Sequence, residues 1–253
     1  MRFLICFSYD GSNYSGYQMQ PGLNTIQQCL EDAVYKVNNS IKRSVHSSGR
    51  TDKHVHALRQ YAHVDLDIDI TPKKLKRALN SNLPDDIHVI DVLEVSDKFH
   101  ARYNVSSKEY KYYLNMGEYN PIERNYVFQY NYSLDVERMK DAIKVFLGEH
   151  DFRAFVTDNK EKENCVRTIT TADIDILPDK KIVFTFKGNG FLRYQVRNMV
   201  GILIKVGEGK ISTEDVEKIL LSKERGSLSK TAPANGLYLV DVKYNNIEFY
   251  VNF

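Results

Sequence analysis

The chain has 253 residues, 42% of them hydrophobic and 27% charged, the composition of a globular protein with room for one large domain or two ordinary ones. A formal net charge of +2 points to no particular class of partner by itself. There is no apolar stretch long enough to cross a bilayer and no charged leader followed by an apolar run and a cleavage site, so neither a membrane protein nor a secreted one is expected. The three cysteines, Cys6, Cys29 and Cys165, are odd in number and far apart, which suits reduced thiols and a cytoplasmic location better than a disulfide framework.

Arg2 to Tyr9 has the composition of a strand, turned by Asp10-Gly11-Ser12. Thr25 with Gln28 fits a capping box, and Ile26, Cys29, Leu30, Ala33, Val34 and Val37 follow as a helical stripe. A strand around Arg43 to Ser47 leads into a loop. From Ala62 the chain alternates, Val64, Leu66, Ile68 and Ile70 against His63, Asp65, Asp67 and Asp69, which predicts a half-buried strand. Thr71-Pro72 opens a helix with Leu75, Ala78 and Leu79 on one face, and Ile87 to Val95 is a further strand. This β-α-β-β-α-β order matches a ferredoxin-like or RRM-like unit.

The second half is similar in kind. Glu109 to Met116 predicts a strand. Ser133 opens a helix carrying Val136, Met139, Ile143, Phe146 and Leu147, with Gly148 as its C-cap. Ala172–Ile176 and Ile182–Phe186 flank Pro178-Asp179-Lys180 as a hairpin. Phe191 to Val206 is expected to be helical, as is Thr213 to Leu221. Leu237–Tyr244 and Ile247–Val251 close the chain as a hairpin over Asn245-Asn246. The fold class expected is α+β: two RRM-like halves, residues 1–104 and 105–253, with largely antiparallel sheets joined around a central basic cleft.

Three segments could carry chemistry. In Ser48-Gly49-Arg50-Thr51-Asp52-Lys53-His54-Val55-His56-Ala57 a lone carboxylate sits among cations. Between Lys42 and His63 there are five Lys or Arg, four His and one acid, Asp52. Opposite charge keeps such a carboxylate ionised. An anion is a poor choice for gripping a polyanion, and is explained if the cations hold a nucleic acid while Asp52 reacts with it. A turn cap paired with Arg50 is the plainer alternative. A metal held by His54, His56 and Asp52 is another, although zinc sites ask for more ligands than this stretch offers. In Phe99–Tyr113, Arg102, Lys108 and Lys111, with Lys98 just before them, interleave with four tyrosines. Cations grip phosphates and rings stack on unpaired bases, or one face of the strand is simply core, as expected for Tyr112. In Asn189–Gly201, Arg193 and Arg197 are spaced to share a helix face. Arg197, beside the apolar stripe, needs an acid such as Asp52, Asp173 or Asp241, or else reaches solvent.

Taken in order, these segments resemble the TruA family of tRNA pseudouridine synthases. The resemblance rests on Tyr9-Asp10-Gly11-Ser12-Asn13-Tyr14-Ser15-Gly16-Tyr17-Gln18, on Gly49-Arg50-Thr51-Asp52 with Val55-His56-Ala57, and on Phe99-His100-Ala101-Arg102 with Lys108 to Tyr112. It continues through Gly148-Glu149-His150-Asp151-Phe152 with Phe155, Val196-Arg197-Asn198-Met199-Val200-Gly201 and Ala232–Leu239, and so covers essentially the whole chain. It implies that Asp52 is the catalytic carboxylate, Tyr110 the tyrosine that stacks on the target base, and Arg197 the arginine paired with that carboxylate. It further implies that Leu237 lines the base pocket and Arg50 helps hold the flipped nucleotide. Lys53, His54, His56, Arg102, Lys108, Lys111 and Arg193 are the expected RNA contacts. No cofactor or metal is expected. The implied partners are tRNA, at uridines of the anticodon stem-loop, and a second copy of the chain in a homodimer. A synthase acting on another RNA such as ribosomal RNA, or a non-catalytic RNA-binding protein, is the alternative. Two departures stand out: Lys53-His54 where the family usually has Ala-Gly, and Tyr17 where it usually has Trp. Losing that glycine removes easy access to positive φ.

Overall fold

The computed structural model describes residues 1–156, 164–224, 230–245 and 247. The chain forms two compact units. The first is Met1–Ser106 together with the segment from Leu239 onward, and the second is Ser107–Tyr238. The division after Ser106 falls close to the expected boundary. The return of the segment from Leu239 onward to the first unit differs from the expected 105–253 half.

The first unit contains β1 (Arg2–Tyr9), α1 (Ile26–Val37), β2 (His46–Ser47), β3 (His56–Asp65), α2 (Pro72–Asn80) and β4 (Ile87–Val95). β1 lies between β4 and β3, antiparallel to both, and β2 pairs antiparallel with β3. Phe3 to Phe7 are buried without a break, as befits a strand flanked on both edges and packed on both faces. α1 begins where expected, with the Thr25 hydroxyl accepting from the Gln28 N–H at 3.4 Å. The reciprocal half of the capping box is not made, since the Gln28 amide turns to Asp32. α1 buries Ile26, Leu30, Ala33 and Val34, and α2, with Pro72 in its first turn, buries Leu75 and Leu79. The alternating stretch from Ala62 is only partly a strand. β3 starts earlier, at His56, and ends at Asp65. Leu66 is still buried beyond it, but the alternation there runs on without a ladder.

The second unit contains β5 (Val105–Asn115), β6 (Phe128–Gln129), α3 (Val136–Ile143), β7 (Gly148–Asp151), β8 (Val166–Leu177), β9 (Lys181–Gly188), α4 (Gln195–Gly207) and α5 (Thr213–Ser222). The closing strand is β10 (Leu237–Tyr244). Its sheet runs β5-β9-β8-β7, antiparallel throughout, with β6 as a two-residue parallel addition to β5. The β8–β9 hairpin turns where expected, with Asp179 and Lys180 both at positive φ, the backbone such hairpins favour. β10 pairs with β3.

Three expectations need correcting. α3 starts two residues later than expected, because the Asp135 carboxylate, not Ser133, caps it by accepting from the Arg138 N–H. Gly148 is not a helix C-cap: a 3-10 turn over Lys144–Phe146 ends the helical run, and Gly148 opens β7. α4 starts at Gln195 rather than Phe191, since Tyr194 adopts a φ of +62° and the Gln195 side chain accepts from the Leu192 N–H. Arg193 therefore lies outside the helix, and the expected shared face with Arg197 does not exist. Of the closing hairpin, Tyr244 bridges Ile247; Asn246 and residues 248–251 lie outside the described residues.

Candidate active site

The loop carrying Asp52 joins β2 to β3 and is fastened from below. The Ser48 N–H donates to the Tyr61 carbonyl at 2.7 Å. The buried Ser48 hydroxyl donates to Gln60 Oε1 at 2.6 Å, and Gln60 Nε2 donates to the Gly49 carbonyl at 3.0 Å. Gln60 is fully buried, so these bonds work away from competing water and fix the loop's first arm.

The opening segment, residues 9–17, holds the second arm. The Tyr9 hydroxyl and Thr51 Oγ1 are 2.8 Å apart. Burial pushes the Tyr9 phenol up to about 12, so it stays un-ionised at neutral pH. The Tyr17 N–H donates to the Thr51 carbonyl at 3.1 Å. Gly16 has a φ of +99°, and a Cβ there would stand 3.0 Å from the Thr51 carbonyl oxygen, 3.2 Å from Lys53 N and 3.3 Å from the Asp52 carbonyl carbon. At this positive φ and this spacing glycine fits without strain, whereas a side chain would push the backbone beneath the aspartate by a few tenths of an ångström. Asp52 itself is half-buried, whereas Arg50, Lys53 and His54 are exposed.

His54 and His56 behave differently from expectation. His56 is 2% exposed. Its Nδ1 accepts from the Gly11 N–H at 3.1 Å and stands 3.1 Å from Asp10 Oδ1. It is part of the loop's mounting and is withdrawn from the RNA-facing set, because its ring is enclosed between the loop and the opening segment. His54 takes a φ of +66°, so the position where the resemblance led one to expect glycine does adopt the left-handed region, with a histidine in it. Its Nδ1 lies 2.8 Å from the Ser12 carbonyl. The two rings thus engage separate backbone partners. Among the described residues no group of three or more His, Cys, Asp or Glu is placed to hold a metal ion, and no helix is long and apolar enough to cross a membrane.

Arg102 is exposed in the first unit, in a turn where its N–H donates to His100 Nδ1 at 3.1 Å.

The remaining expected residues belong to the second unit. On β5, Tyr110 is 8% exposed and meets the Phe191 ring edge-on at a centroid distance of 5.2 Å. Tyr112 is core, as expected, with its hydroxyl donating to the Pro233 carbonyl at 2.9 Å. Lys108 and Lys111 are half-buried on the same strand. Leu237 is buried at the start of β10. Arg197, in the first turn of α4, donates from Nε to the Ala232 carbonyl at 2.7 Å, and the Ala232 N–H returns to the Arg197 carbonyl at 3.1 Å. Its guanidinium lies 5.2 Å from the centroid of the Tyr194 ring, which the Arg193 guanidinium approaches to 4.9 Å. The cation–π contact and the paired backbone bonds help to fix the Arg197 guanidinium. The two arginines share a ring, though not a helix face.

Sequence reasoning missed the supports: Tyr9, Ser12, Gly16, Phe191, Tyr194 and Ala232. Several of them stand in the motifs that carried the resemblance, but nothing in their spacing states what they hold.

Comparison with known proteins shows the family of the chain. The family model described as tRNA pseudouridine synthase matches residues 5–104 and 142–245, spanning both the Asp52 loop and the Arg197 helix. The tRNA pseudouridine synthase A of Limosilactobacillus fermentum is 45% identical over 251 residues, covering 97% of this chain and 96% of that protein. That of Streptococcus pyogenes serotype M3 is 43% identical over 250 residues, covering 97% of this chain and all of that protein. The chain belongs to the tRNA pseudouridine synthase family.

Proposed function

We propose that Asp52 is the carboxylate through which this chain carries out its family's reaction, the isomerisation of uridine to pseudouridine in tRNA. The C1′–N1 glycosidic bond breaks, the uracil turns, C1′ bonds to C5, and the proton lost from C5 is balanced by the one gained at N1. The base must first leave its stack, at a cost of a few kcal/mol. Phosphate contacts from exposed cations such as Arg50, Lys53 and Arg102 offset that cost. The observation that carries the assignment is the mounting of the loop. Two hydrogen-bonded arms and a glycine pressed against its underside support a half-buried carboxylate, the rigidity a reacting group needs and a surface turn cap does not.

Tyr110 is assigned to stack on the uracil, Arg197 to pair with the reacting carboxylate and Leu237 to line the base pocket, on the resemblance. Lys108, Lys111 and Arg193 complete the RNA contacts. The strand order β4-β1-β3-β2 with α1 and α2 in the crossovers supports an RRM-like reading of the first unit. RRM-like halves around a basic cleft belong to the same proposal. Anticodon stem-loop uridines as targets, a homodimer and a cytoplasmic location complete it, all on the resemblance. Sedimentation as a monomer at micromolar concentration removes the dimer.

The test is tritium release from tRNA carrying 5-tritiated uridine. Asp52→Asn is expected to keep tRNA affinity and lose turnover by on the order of 10²-fold to 10⁴-fold. Turnover at the parent rate in that variant rejects Asp52.

A further inference from the structure

Asp52 opens a four-residue turn in which its carbonyl accepts from the Val55 N–H at 3.2 Å, with His54 at the third position and a φ of +66°. Glycine is the usual occupant where a turn needs positive φ, and a residue with a Cβ is strained there. The His54 ring reaches back to the Ser12 carbonyl, 2.8 Å from Nδ1. A carbonyl only accepts, so Nδ1 carries the proton and donates it. Ser12 is itself immobilised, its N–H and hydroxyl both donating to Asp10 Oδ1 at 2.9 and 2.6 Å. Thr51 is tied on one side of the turn and His56 on the other, and His54 secures the middle.

We propose that His54 is a positioning residue: its Nδ1–H bond to the Ser12 carbonyl holds in place the strained turn that presents Asp52. The backbone conformation is supplied at the expense of strain, and the tether offsets it. This role rests on Asp52 being the reacting carboxylate. It replaces the expected direct RNA contact for this residue.

Three variants of the full chain separate the components. His54→Ala lacks both the tether and tolerance of positive φ. His54→Gly restores only the tolerance. His54→Asn restores both, since asparagine enters the left-handed region readily and its amide nitrogen falls near the position of imidazole Nδ1. The measurements are kcat and KM for tRNA by tritium release, with thermal melting to show that each variant folds. The expected result is a kcat lowered about tenfold in His54→Ala, about threefold in His54→Gly and within about twofold of the parent in His54→Asn, with KM unchanged in all three. A rise in KM across all three marks an RNA contact and overturns the proposal, as does a His54→Asn variant no faster than His54→Ala. Asp52→Asn is run alongside. If it is inactive while the His54 variants all match the parent, the positioning role alone fails. If it turns over normally, the assignment of Asp52 has failed and the role of His54 goes with it.

Discussion

His63 lies under a stack of rings on the first unit. It is parallel to His46 at 5.0 Å between centroids and edge-on to His100 at 4.6 Å, with Tyr103 beyond His100 at 4.2 Å. Its Nδ1 accepts from the Ala101 N–H at 3.1 Å, and it is 2% exposed. Burial first, and then the positive neighbours His100, Arg2 and His46, push its pKa down to about 4. A depressed folded-state value means that the charged form is favoured on unfolding. The stability tied to neutral His63 is therefore present above about pH 6.5 and is lost as pH falls toward 4, on the order of 3 kcal/mol in all. The melting temperature is expected to fall across that window. His63→Asn, which keeps an acceptor for the Ala101 N–H, is expected to flatten the fall. An equally steep curve in the variant assigns the loss to other groups. In the sequence His63 alternates with Val64 and belongs to the polar face of a strand. Period 2 reveals which residues share a face, but not whether that face will be covered, and here both are. Arg193 misled for a related reason, since a helical spacing says nothing of a Tyr194 that takes positive φ and delays the helix.

Gly16 and Gly22 separate two costs at the level of the loop. Both have positive φ, +99° and +73°, but a Cβ at Gly22 would meet nothing within 4 Å, while one at Gly16 would press on the backbone of Thr51, Asp52 and Lys53. Gly22→Ala is expected to lower stability by about 1 kcal/mol through strain alone and to leave kcat as it is. Gly16→Ala carries the same strain and also displaces the aspartate, with kcat lowered by about tenfold or more. Melting curves and single-turnover rates on the two variants read these separately, and equal kcat values would mean that the contact beneath Asp52 has no bearing on catalysis. Elements with local signals were legible: the Thr25 cap and stripe of α1, Pro72 at the start of α2, the β8–β9 turn and the limits of β10. The mounting of the loop was not. The Tyr9–Thr51 bond spans 42 positions, and no local pattern records a partner so distant. The residues of the site could be named by resemblance, but how they are held could not.

At the scale of the molecule, a net charge of +2 gives little overall attraction to a polyanion, so tRNA affinity depends on local clusters. Replacing the exposed Arg50, Lys53 or Arg102 one at a time by Gln is expected to reduce the slope of log affinity against log salt by about one per residue. Filter binding across a salt series measures it, and an unchanged slope removes that residue from the footprint. The expected boundary near residue 104 rests on one strand-helix pattern giving way to the next, and the two compact units are divided between Ser106 and Ser107. The pairing of the final strand with β3 has no such local signal, because it depends on a ladder rather than on composition. That pairing has a consequence for synthesis. A ribosome adds about 5–20 residues per second, so the neighbour that β3 awaits emerges on the order of ten seconds after residue 106, once the whole intervening unit has been translated. Until then the nascent host sheet carries an open edge, a template for unwanted strand addition, while the inserted unit is still being made.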